Sequence, residues 1–148
     1  MGHILWVEPV FKEMIWGGNQ LKEKYGYAIP SDQTGECWAP SAHPNGDNKI
    51  KEGEFKGQTL SKVFDDHREL FGNIKDKQFP LLVKIIDACN DLSVQVHPND
   101  EYAALHENSL GKTECWYVLD CKEDTKMVMG HHAKTKEELV KAIENSVD

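Results

Sequence analysis

The sequence contains no long apolar run, no basic cluster, no closely paired cysteines and no internal repeat. Each absence excludes something. Crossing a bilayer takes about 20 mostly apolar residues, and no stretch here approaches that. A basic segment leading into an apolar core is missing from the N-terminus, so it does not read as a secretory signal. Lys and Arg number 17 against 25 Asp and Glu, a net charge of −8, which argues against phosphate-backbone partners. Neither nucleic acid nor membrane is expected as a partner. Cys37, Cys89, Cys115 and Cys121 stand far apart. In a chain read as cytoplasmic they are expected to be free thiols, with Cys89 and Cys115 acting as small buried hydrophobes. The metal-binding spacings HxH, HExxH and CxxC are absent too.

What remains is a chain of 148 residues, 39% hydrophobic and 28% charged, long enough for one domain with a real core. With no linker or low-complexity stretch, residues 1–148 are read as a single domain.

Two stretches carry chemistry. Residues 93–97, Ser-Val-Gln-Val-His, alternate polar and apolar. As a strand they put Ser93, Gln95 and His97 on one face. Residues 112–118 alternate in the same way, with Lys112, Glu114 and Trp116 on one parity. Gln95, His97 and Glu114 would then offer a carbonyl oxygen, an imidazole nitrogen and a carboxylate, a set suited to a borderline divalent metal such as zinc. The plainer alternative is that His97 is a solvated or hydrogen-bonded strand histidine.

Elsewhere the pattern gives a framework. Residues 4–11 read as a strand broken at Pro9, followed by a turn at Trp16-Gly17-Gly18-Asn19 and one helical turn over 20–25. Trp16 is either a core plug or a pocket wall. Residues 35–42 read as a strand carrying Glu36 and Trp38, and His43-Pro44-Asn45-Gly46-Asp47-Asn48 as a loop. Helical spacing over 59–71 aligns Leu60, Val63, Phe64, Leu70 and Phe71, with Gly72 as its stop. Residues 79–88 read as a buried strand in which Lys84 either snorkels outward or enters a polar cavity. Asn99 and Asp100 can cap a short helix over 101–108, and 126–129 can form a short strand. His43, His131 and His132 read as loop or turn histidines. Thr135 and Glu138 form a capping box for a final helix whose Leu139, Val140, Ile143 and Val147 would bury one stripe.

The stretch Leu92-Ser93-Val94-Gln95-Val96-His97-Pro98-Asn99-Asp100, followed by Gly111-Lys112-Thr113-Glu114-Cys115-Trp116-Tyr117, resembles the signature of the type I phosphomannose isomerases. Residues 9–18 (PVFKEMIWGG), 35–44 (GECWAPSAHP) and 79–88 (FPLLVKIIDA) resemble further blocks of the short bacterial members, in the same order.

That resemblance implies a mainly β fold, a cupin-like or jelly-roll β-barrel with a few peripheral helices, here its N-terminal portion. It implies a zinc ion held by Gln95, His97 and Glu114 plus a downstream His, and interconversion of mannose 6-phosphate and fructose 6-phosphate through an enediol. Lys112 is the expected catalytic residue, and Ser93, Trp16 and Glu36 the substrate-binding ones. The acidic chain would repel a sugar phosphate at long range, so such a site needs local cations. The downstream His and an active-site Arg of the family find no match within residues 1–148. A non-catalytic cupin-like module that binds metal or sugar is therefore the alternative, with a metal-dependent cupin of other chemistry behind it. Open sheet edges would favour a homodimer.

Overall fold

The computed structural model describes residues 4–93, 95–128 and 130–145. They form two compact units, one ending at Leu92 and one beginning at Ser93.

The first unit is built on a three-stranded antiparallel sheet, ordered β1 (Val10–Gly18), β2 (Thr34–Ser41) and β3 (Leu82–Ile86). The expected strand over 35–42 is β2, one residue earlier at each end. That over 79–88 is the shorter β3, and it is half-exposed where burial was expected, with Val83 46% accessible. The first expected strand is displaced: Val7 makes only an isolated bridge to Ile50, and pairing begins at Val10. The expected turn at Trp16-Gly17-Gly18 is instead the end of β1. The glycines there serve close approach: a Cβ on Gly17 would stand 2.5 Å from the backbone nitrogen of Gly35. β2 is the central strand yet carries Pro40, which cannot donate to a ladder. The register shift between Trp38 and Ser41 passes over it.

Helix α1 (Gln20–Glu23) is a single turn with Leu21 buried beneath it. Helix α2 (Leu60–Asp66) starts where Thr59 Oγ1 accepts from the Lys62 N–H at 3.3 Å. It passes through His67 into a 3-10 turn, Arg68–Phe71, and stops at Gly72 with φ of 70°. This is the helix expected over 59–71, divided at His67. Its apolar stripe supplies the core: Leu60 and Val63 pack with Ile50, and Leu5, Val7, Phe55, Leu70 and Phe79 close around them. Phe64, Phe71 and Phe79 meet edge to face, with centroids 5.2–5.9 Å apart. Each such pair is worth about 1 kcal/mol beyond its buried area.

The loop 43–48 is tied in by Asn48, which is fully buried. Its Oδ1 accepts from the Ser41 N–H at 2.6 Å, and its Nδ2 donates to the carbonyls of Glu8 and Trp38, both at 3.0 Å.

The second unit holds helix α3 (Asp100–His106) and helix α4 (Lys136–Asn145). Ala103 is the one buried residue among its described residues. Asn99 caps α3, its Oδ1 accepting from the Tyr102 N–H at 2.9 Å. Glu138 N–H donates to Thr135 Oγ1 at 3.2 Å, as the capping box requires, but the Glu138 carboxylate reaches the N–H of Lys134 at 2.7 Å instead of that of Thr135. The α4 stripe is not buried: Val140 is 40% and Ile143 63% accessible. Val147 lies outside the described residues.

Among the described residues, 93, 95–97 and 112–119 are not in strands and 126–128 is irregular too; Val94 and Met129, which belong to the expected strands, lie outside the described residues. A strand exists only against a partner that takes up its N–H and C=O groups. The described residues provide no ladder to these segments. Trp116, Tyr117, Val118 and Leu119 are accordingly exposed, and so are Cys89 and Cys115, against the expectation of burial; Cys37 is the buried thiol. No helix among the described residues is long and apolar enough to cross a membrane.

Candidate functional site

Two irregular segments of the second unit are held side by side. The N–H of Lys112 donates to the carbonyl of Pro98 at 3.3 Å, and that of Gly111 to the Asp100 carboxylate at 2.9 Å. The approach needs glycine at 111, where a Cβ would stand 2.5 Å from the Asn99 carbonyl carbon and the Asp100 nitrogen. The Asn99 cap fixes one side of this junction and Gly111 the other.

The junction brings His97, Lys112 and Glu114 together without a sheet. His97 Nε2 lies 3.4 Å from Glu114 Oε2. Lys112 Nζ lies 3.4 Å from each of those atoms. Trp116, not anticipated as part of the site, donates from Nε1 to Glu114 Oε1 at 3.2 Å. The signal was present: Trp116 shares the parity of Glu114, two residues on. The three side chains are 23%, 45% and 37% accessible for His97, Lys112 and Glu114. A polar groove of about 290 Å³ opens beside them, lined by residues including His97, Asp100, Gly111 and Lys112. A second groove of about 620 Å³ runs along α3 between Tyr102, Leu110 and Lys112.

Partial burial pushes the Glu114 carboxyl up, but the Trp116 N–H and the neighbouring Lys112 and His97 outweigh it and hold the group below its ordinary value. The net direction is that of a carboxylate stabilised in its charged form.

The remaining expected residues are placed as follows. Gln95 donates from Nε2 to Ser93 Oγ at 3.2 Å. Glu36 and Trp16 belong to the first unit. Glu36 is 7% accessible, and its carboxylate is already engaged. Trp38 Nε1 donates to Oε2 at 2.6 Å, and Lys84 Nζ lies 3.1 Å and 3.2 Å from the two oxygens. Lys84 thus turns inward along the sheet, opposite Trp38 in the register. Lys12 and Lys84 each put an ammonium 4.8 Å from the Trp38 ring centroid. Trp16 is half-buried, its ring against Gly35.

A tetrahedral zinc with bonds of about 2.1 Å has ligand atoms about 3.4 Å apart. His97 Nε2 and Glu114 Oε2 stand at that separation, and the ammonium of Lys112 shows that the cluster accepts a positive charge. The donor chemistry therefore fits the expected ion. Among the described residues no group of three His, Cys, Asp or Glu side chains gathers for a metal, and the contact described for the Gln95 side chain is with Ser93.

Residues 4–129 match the phosphomannose isomerase type I catalytic domain, and the chain belongs to that family. More particularly, it is 59% identical to a probable mannose-6-phosphate isomerase of Bacillus subtilis over 98% of this chain and 46% of that protein. A mannose-6-phosphate isomerase of Streptococcus mutans is 53% identical over 94% of this chain and 44% of its own length. The crystal structure of the mannose 6-phosphate isomerase from Bacillus subtilis superposes with a TM-score of 0.93 at 50% identity, covering 95% of this chain and 45% of that one. The chain thus spans about half the length of the relatives it matches.

Proposed function

We propose that this chain carries the metal-binding and proton-transfer groups of an aldose–ketose isomerase that interconverts mannose 6-phosphate and fructose 6-phosphate through an enediol. The carrying observation is the cluster of His97, Lys112 and Glu114, whose mutual distances are all 3.4 Å, in a chain that matches the family over residues 4–129. His97 and Glu114, with Gln95, would hold zinc; other divalent ions suit the same donors. When bound, the ion supplies electrophilic polarisation of the sugar oxygens.

The chain's own groups do the rest. The isomerisation removes a proton from C2 of the aldose and returns one at C1. Lys112 Nζ is the amine that would hold the moving proton, and the Glu114 carboxylate 3.4 Å away fixes its position. Ser93 Oγ would donate to the phosphate of the substrate; for Trp16, on the first unit, the resemblance implies a lesser role as a candidate pocket residue. Glu36, engaged by Trp38 and Lys84, would contribute by fixing the Lys84 charge. The cupin-like barrel, the cytoplasmic location and a homodimer through open edges belong to the same reading.

The test is zinc content and isomerase turnover of the purified chain beside a Gln95→Ala/His97→Ala/Glu114→Ala triple variant. Near-stoichiometric zinc lost in the variant, with turnover of mannose 6-phosphate, is the expected result. Zinc without turnover would favour the second reading, a binding module whose downstream His and Arg are not among these residues. No zinc in either protein would remove the site.

A further inference from the structure

The Glu114 carboxylate is divided between two sets of neighbours. Its Oε2 faces His97 Nε2 and Lys112 Nζ, each at 3.4 Å, while its Oε1 accepts from Trp116 Nε1 at 3.2 Å. All four residues belong to the second unit. The last torsion of a glutamate is broad and roughly two-fold, so an unheld carboxylate interchanges its oxygens. An indole N–H is a donor only, and here it occupies one of them. Fastened at Oε1, the carboxylate keeps Oε2 turned to His97. Packing does not account for a tryptophan at this position: Trp116 is 52% accessible, and its segment joins no ladder among the described residues. Lys112 cannot serve in its place. The ammonium holds Oε2 only while no other cation is there, and a divalent ion beside His97 would repel it. The bond to Trp116 comes from a neutral donor on the other oxygen, so it is compatible with such an ion.

We propose that Trp116 is the positioning residue for Glu114, its indole N–H fixing the carboxylate so that Oε2 is the oxygen offered to a divalent ion beside His97. The proposal rests on the metal reading of His97 and Glu114. Trp116 is not itself a ligand and acts only through the Glu114 carboxylate. Ligating carboxylates are commonly hydrogen-bonded in turn, and losing such a partner weakens metal binding by about 10- to 100-fold. The exposure of Trp116 puts the effect here at the lower end. Trp116→Phe keeps an aromatic ring and loses the donor, whereas Trp116→Ala loses both.

The experiment titrates zinc into the full chain against a chromophoric chelator, for wild type, Trp116→Phe and Trp116→Ala. Beside it, the Trp116 indole N–H resonance, assigned by its loss in Trp116→Phe, is compared between zinc-free wild type and Glu114→Ala. Both Trp116 variants are expected to weaken zinc binding alike, by about tenfold. Glu114→Ala is expected to move the indole resonance upfield, because the acceptor is gone. If the wild type binds zinc and Trp116→Phe binds it as tightly, the role of Trp116 is overturned while the metal reading stands; a ring that served by bulk alone would give that result. An indole resonance unmoved by Glu114→Ala would overturn the role as well. If the wild type binds no zinc, the metal reading falls, and the proposal falls with it. Should Trp116→Ala fail to fold, Trp116→Phe and the resonance decide.

Discussion

The carboxamide of Asn48 donates to the backbone carbonyl of Trp38 at 3.0 Å from a fully buried position. The same side chain serves the Ser41 N–H and the Glu8 carbonyl, so a single residue satisfies three main-chain groups. Replacing it strands all three. Asn48→Ala should cost about 3 kcal/mol in urea unfolding, and Asn48→Asp at least as much, because a carboxylate would face two carbonyls. A loss under about 1 kcal/mol would mean that water replaces the bonds.

Glu36 and Lys84 are 48 residues apart and meet at 3.1 Å, with side chains 9% and 22% accessible. Lys84→Met leaves the Glu36 charge buried against Trp38, and should destabilise the first unit by about 3 kcal/mol. Adding Glu36→Gln removes that charge while keeping an acceptor for the Trp38 indole. The double variant should recover much of the loss, and a double-mutant cycle on denaturation midpoints measures the coupling. Purely additive single effects would contradict the pairing.

Lys112 holds a positive charge 3.4 Å from both His97 Nε2 and Glu114 Oε2. A divalent ion bound to those atoms has to compete with it. Lys112→Met should therefore tighten zinc binding by about tenfold or more, since neighbouring like charges cost between about 1 and 4 kcal/mol from water-like to surface dielectric. Calorimetric titration at low salt checks the direction. Weaker zinc binding in the variant would show that the amine helps to build the site.

The Glu114 carboxyl is held below its ordinary value, with the Trp116 N–H, Lys112 and His97 outweighing burial. Its contribution to stability is thus complete above the ordinary carboxylate value near pH ~4.3 and is lost as pH falls through the lowered folded value. A carbon-detected carboxylate titration should place Glu114 below exposed glutamates, and Trp116→Phe should move it up. An unmoved Glu114 in that variant would remove Trp116 from the cluster.

Burial raises the Cys37 thiol above its usual range, whereas Cys89, Cys115 and Cys121 are exposed. A native thiol titration should count three fast groups and one slow one, with all four reacting in denaturant. Four fast thiols would place Cys37 at the surface.

The elements legible in the sequence are those whose determinants are local. The 59–71 segment carried its stripe and its stop at Gly72, and α2 with the following turn obeys both; the cap at Thr59 came only with the structure. Asn99, by contrast, announced α3 as its cap. Alternation at 93–97 and 112–118 grouped Gln95, His97 and Glu114, with Lys112 on the face of Glu114. The structure brings His97, Lys112 and Glu114 within 3.4 Å of one another, leaves Gln95 on Ser93, and does so by other means than a sheet. A strand needs a ladder partner, and here the junction of Pro98 with Gly111 and Lys112 does the work. Trp16-Gly17-Gly18 read as a turn because glycine pairs commonly mark turns; its actual cause, contact with residues 33–35, is remote in sequence. Lys84 stood out inside an apolar run, but its partner Glu36 could not be read from spacing. Trp38, which donates to the same carboxylate, gave no sign of that role.

The second unit has a single buried residue, Ala103, among those described. With so little apolar cover, its backbone amides should exchange with heavy water on a much shorter clock than those of the first unit, where Leu21, Val63 and Phe64 are fully buried. The groups placed to do the chemistry would thus sit on the half of the chain that opens most readily, and a ligand that bridges His97 and Glu114 would register first as a slowing of that clock.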